Sequence, residues 1–109
     1  MLVAISISPS GTPLDAGEND AEAAGGVSAV VAEVVRVIRD SGLPSETNAM
    51  FTNIEGEWDE VMGVVKRAVD VAAARYPRVG LVLKADIRPG YDGQLAAKVQ
   101  RVEEHLRDR

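Results

Sequence analysis

The chain has 109 residues, a net charge of −5, no cysteine and one histidine, His105. That length supports one hydrophobic core and a single domain over 1–109. The composition excludes a disulfide framework, a thiolate metal site, a cysteine nucleophile and a metal site built on imidazoles alone. The acidic balance disfavours binding to nucleic-acid backbones, which need Lys and Arg to neutralise phosphates, and suits a neutral or cationic ligand better. No apolar run reaches the ~18 residues of a membrane span. No basic region precedes the apolar first eight residues, so neither membrane insertion nor a secretory signal is expected and a cytoplasmic location is.

Met1 to Ser8 alternates, with Val3, Ile5 and Ile7 on one face and Leu2, Ala4, Ser6 and Ser8 on the other. Side chains of a strand alternate between faces, so this predicts a strand with one apolar side, ended by Pro9. Residues 9–26 hold several glycines, prolines and acids without a sustained apolar period. They predict a long loop, a mobile insertion with a helical turn near Asp20–Ala24. From Val27 to Ser41 the period is helical, with Val27, Val30, Val31, Val34 and Ile38 on one stripe and Gly42 and Pro44 as the stop.

Glu46 to Glu55 is β-prone and reads as one bent strand or as a hairpin turning near Phe51–Asn53. A helix follows over Glu57–Arg75, with Trp58, Val61, Met62, Val65, Ala68, Val69 and Ala72 on its apolar face and acids in its first turn. Trp58 is expected in the core; Phe51 is left open. Val79–Arg88 is the last strand. Its segment LVLKADIR puts Lys84, Asp86 and Arg88 on one face and Leu81, Leu83, Ala85 and Ile87 on the other. Leu95, Val99, Val102 and Leu106 then mark a C-terminal amphipathic helix.

With the middle segment read as a hairpin, the order is βαββαβ: an α+β ferredoxin-like sandwich with an extra C-terminal helix. Both long helices then cover one sheet face. The open face is expected to bring Ser6 and Ser8 near Lys84, Asp86 and Arg88, a polar surface suited to a small ligand. Two plainer readings stand beside it: an alternating-charge edge strand that resists aggregation, and a subunit interface across which Asp86 pairs with an arginine. The second candidate is Thr47–Trp58, where Asn48, Thr52 and Glu55 lie beside Met50 and Phe51. Such hydrogen-bonding groups beside thioether and aromatic surface suit a flat heteroaromatic ring. No phosphate-cradling glycine loop opens a helix, no metal-ligand spacing is present, and the first strand lacks the aromatics an RNA-binding sheet would need.

Two blocks, AMFTNIEGEWDEVM at Ala49–Met62 and LKADIRPG at Leu83–Gly90, together with Ser6, Ser8 and Pro9 and with Lys98, Val99 and Glu103, resemble the thiamine-binding, YkoF-like family of small ferredoxin-like proteins. The resemblance implies dimers or tetramers formed through the sheets, and binding of thiamine or its hydroxymethylpyrimidine moiety without catalysis and without a further cofactor. The insertion after the first strand is longer than the family usually shows, which makes a lid over the site conceivable. Joined to the residues, it makes Ser6, Ser8, Asn48, Met50, Thr52, Glu55, Lys84, Asp86 and Arg88 the expected ligand contacts, with no catalytic or metal-binding residues. The competing expectation is a structural protein whose polar sheet face is only an oligomer interface.

Overall fold

A computed structural model describes residues 1–14 and 21–107, with the backbone alone over 21–27. Seven elements follow one another: β1 (Leu2–Ser10), α1 (Ala21–Asp40), β2 (Ser45–Thr47), β3 (Thr52–Glu55), α2 (Trp58–Ala73), β4 (Arg78–Asp86) and α3 (Gln94–Arg107). The four strands form one antiparallel sheet in the order β2-β3-β1-β4. This α+β arrangement is consistent with the expected ferredoxin-like sandwich and its additional C-terminal helix.

The apolar alternation of β1 builds the core. Val3, Ile5 and Ile54 of the sheet meet Val30, Val34 and Ile38 of α1 and Val61, Val64, Val65, Ala68 and Ala72 of α2, all buried. Burying each of the larger side chains contributes roughly 1.5–3 kcal/mol. That burial compensates for the weak helix propensity of so many valines. Gly42, with φ of +79°, follows α1 in the left-handed conformation that glycine adopts at helix C-termini. At the start of α2 the Glu60 carboxylate accepts the Glu57 N–H at 3.3 Å, one half of a capping box.

Several expectations change. Pro9 does not end the first strand, because β1 continues to Ser10 opposite Arg78. Helix α1 begins at Ala21 rather than Val27. The helix-forming run Ala21–Ala24 outweighs the cost of Gly25 and Gly26, about 1 kcal/mol each. Of the expected loop, 15–20 lies outside the described residues. The hairpin turns at 48–51 instead of Phe51–Asn53. Trp58 is 55% exposed, not core, because it opens the first turn of α2, ahead of the buried stripe that begins at Val61.

The open sheet face is also occupied at one end. Glu55, which lies opposite Leu2, receives the Gln94 N–H at 2.7 Å on Oε2 and the Leu95 N–H at 3.4 Å on Oε1. A side chain remote in sequence thus caps α3 and anchors it to the sheet. Glu55→Ala is expected to cost about 1 kcal/mol, the usual value of a lost N-cap. It should raise amide exchange at Gln94–Ala97 while the core amides of α2 stay protected, and an α3 that exchanges no faster would contradict this role.

Candidate ligand-binding cleft

The pairing pattern of β1 creates the main cleft. Met1 N donates to Gly56 O at 2.9 Å, and Gly56 N donates back to Met1 O at 3.1 Å. In an antiparallel sheet such reciprocal bonds recur at every second residue. Val3 and Ile5 therefore direct their main-chain groups to β3, and the even-numbered residues direct theirs to β4. The β1–β3 register stops at Ile5↔Thr52, whereas β1–β4 runs on to Ser10↔Arg78. Beyond Ile5, the side of β1 facing the hairpin has no strand on it among the described residues.

Asn48 causes the break. Its Oδ1 accepts the N–H groups of both Met50 and Phe51 at 2.9 Å, an Asx turn that curls the hairpin tip away from β1. A cleft of about 210 Å³ opens between that tip and α1. Ile5, Ile7 and Thr52 form its floor, Val31, Val34 and Val35 of α1 one wall with the buried Val30 and Ile38 behind them, and Thr47 to Phe51 the other. The hydroxyls of Thr47 and Thr52 share a hydrogen bond of 3.1 Å, and Thr52 is buried. Met50, 73% exposed, stands at the rim. Drug-sized ligands occupy roughly 300–1,000 Å³, so this volume suits a single heteroaromatic ring.

The nine expected contact residues do not form one site. Ser6, Asn48, Met50 and Thr52 border the cleft, although Asn48 uses its carboxamide oxygen to hold the turn. Thr52 is the hydroxyl placed on the floor. Ser8 is exposed, opposite Gly80. Ser6 lies opposite Val82, while Lys84 and Asp86 lie opposite Ala4 and Leu2. The serines and the charges do share a face, as expected, but they occupy different ends of it. Strand β4 ends at Asp86, so Arg88 lies beyond it and rests its guanidinium 3.6 Å from the centroid of the Tyr91 ring.

At that far end the charges hold α3. Asp86 accepts a hydrogen bond from Lys98 of α3, and Glu55 caps the same helix. Glu55, Asp86, Arg88, Tyr91, Gln94 and Lys98 enclose a gap of only about 10 Å³, room for one water at most. Lys84 is exposed and borders neither gap nor cleft. Sequence reasoning missed Ile7, Val30, Val34 and Ile38 as cleft residues. Their apolar periodicity marks them as core, and nothing local in it says that the core is open at one end.

The sequence profile of the thiamine-binding protein family matches residues 3–103. The chain belongs to that family. Within it, this member is 51% identical over 107 residues to a UPF0045 protein of Mycobacterium bovis, a match that covers 97% of this chain and 94% of that one. Among solved structures it resembles a domain of unknown function from Bacillus cereus at 28% identity, with a TM-score of 0.73 over 92% of this chain and 86% of that one. It also shares the fold of a Thermotoga maritima protein called a "putative thiamine biosynthesis/salvage protein", at 24% identity and a TM-score of 0.64 over 94% and 99% of the two chains.

The Lys98 hydrogen bond and charge hold the Asp86 carboxyl below its ordinary value against an opposing desolvation, with Arg88 and then Lys84 adding lesser pulls in the same direction. A lowered carboxyl pKa contributes stability above the unfolded value, about 3.9, and loses it as pH falls through the folded value. The hold on α3 is therefore expected to be complete at neutral pH and to weaken only below about pH 4. Side-chain NMR of Lys98 on acidification checks this. A Lys98 signal that shifts with pH in the parent but not in Asp86→Asn confirms the pair, and equal shifts in both contradict it.

Proposed function

We propose that this member of the thiamine-binding family binds thiamine, or its hydroxymethylpyrimidine moiety alone, in the cleft between α1 and the hairpin tip, and does so without catalysis. The cleft carries this reading: one-ring volume, an apolar wall from α1, and the buried Thr52 hydroxyl on the floor. A pyrimidine ring fills the apolar width, while its nitrogen edge needs hydrogen-bonding groups. The rim residues Met50 and Phe51 supply thioether and aromatic surface for the cationic thiazolium of the whole vitamin. Among the described residues the lining consists of apolar side chains, hydroxyls, the Asn48 amide and main chain. That supports binding rather than proton transfer, and gives a phosphate no cationic partner inside the cleft. The family's description supports the same ligand class.

A homo-oligomer is part of the proposal, and β4 is the observation that favours it. It is a nine-residue edge strand with Leu81 43% and Val82 59% exposed, and α3 presents Val99, Val102 and Leu106, each more than half exposed. A long apolar edge is an aggregation hazard unless something pairs with it, and a second copy of the chain is the simplest cover. This revises the interface reading: Asp86 already has Lys98 as its partner, so the apolar edge, not the charge row, is the surface a second copy would use.

Calorimetry with thiamine, hydroxymethylpyrimidine and thiamine diphosphate, on samples sized by light scattering, tests both parts. Heat is expected from the first two, from a particle larger than one chain. Thr52→Val should weaken binding roughly tenfold, the worth of about one hydrogen bond. Absence of heat from all three at millimolar concentration would overturn the proposal.

A further inference from the structure

Resting on the proposed ligand class, we infer that the main chain of Ile7 is the polar reader of the cleft. Its N–H and C=O together would bind the edge of an aminopyrimidine where a ring nitrogen adjoins the exocyclic amine.

The register that pairs Leu2 with Glu55 and Ile5 with Thr52 would, if continued, place Met50 opposite Ile7. Met50 cannot take that place, because its N–H is held by Asn48 Oδ1. The odd-numbered main-chain groups of β1 point toward the hairpin, so both polar groups of Ile7 project beside the cleft that Ile7 itself lines. They have no partner there among the described residues. Pro9, next in the same row, carries no N–H, a substitution that strands accept only where no ladder bond is needed. Residue type and register thus agree that this edge takes no strand.

An unpaired N–H and C=O beside an apolar cleft favour a ligand that replaces the missing strand. On a 4-aminopyrimidine the ring nitrogen accepts and the neighbouring amine donates, matching the Ile7 N–H and C=O in turn. A 4-oxo analogue held in the same orientation reverses the pattern: its protonated ring nitrogen faces the Ile7 N–H and its oxygen faces the C=O. Thr47 and Thr52 hydroxyls can rotate to serve either pattern. The strand cannot, so for a ring held in one orientation discrimination between amine and oxo belongs to Ile7.

Titration of ¹⁵N-labelled protein with hydroxymethylpyrimidine, read at the Ile7 amide and run beside calorimetry, tests this. The Ile7 amide proton is expected to move downfield and exchange at least tenfold more slowly, and the 4-oxo analogue to bind at least tenfold more weakly. Calorimetric binding of the aminopyrimidine with an unmoved Ile7 amide would overturn the inference and leave the function standing, as would equal affinity for the oxo analogue. No binding of either pyrimidine or of thiamine would overturn the function, and the inference with it.

Discussion

One side chain, Asn48, decides where the sheet stops and the cleft begins. By taking the N–H groups of Met50 and Phe51, its carboxamide oxygen ends the β1–β3 ladder at Ile5↔Thr52. Without that turn, the register of the hairpin would carry it along β1 and fill the space above Ile7. The opening costs main-chain hydrogen bonds at Ile7, and a folded chain keeps such bonds unmade only where water or a ligand replaces them. The apolar side of α1 completes the cleft, with Val31 and Val35 at its surface beside the core residues Val30, Val34 and Ile38.

The opposite end of β1 is closed by similar chemistry used to another purpose. There Glu55 caps α3 and Asp86 holds Lys98, so a helix that buries no residue of its own is tied to the sheet by polar contacts. The charges that stand out in LVLKADIR are thus mainly structural. One pair fixes a helix, Arg88 stacks on Tyr91, and Lys84 remains at the surface. The two ends of the central strand differ accordingly: one borders the proposed binding cleft and the other holds α3.

Strand and helix order was legible because burial imposes periods of two and of 3.6 on the sequence, and Val3, Ile5, Val30, Val34, Ile38 and Val61 keep those periods. Their burial follows directly. The site was half legible. The hydrogen-bonding residues beside Met50 and Phe51 do lie on the hairpin that borders the cleft, with Thr52 on its floor. Alternation alone says which side of a sheet a residue faces, not how far along it, so Ser6 and Ser8 were expected beside charges that belong to the other end of the same face. Trp58 carried the signature of a core aromatic, yet helix periodicity does not show that its first turn stands clear of the packed layer. The role of Ile7 was not legible, because a main-chain vacancy has no residue signature and exists only through the register of a neighbouring strand.

The central claim is that the ligand enters the α1–hairpin cleft and not the outer sheet face. Isotope-filtered NOE spectroscopy of the protein with hydroxymethylpyrimidine decides it most directly. Contacts from the ring methyl to the methyl groups of Val31, Val34 and Val35 are predicted. Contacts to Ala4, Val82 and Lys84 in their place would put the ligand on the other side of the sheet and contradict the account.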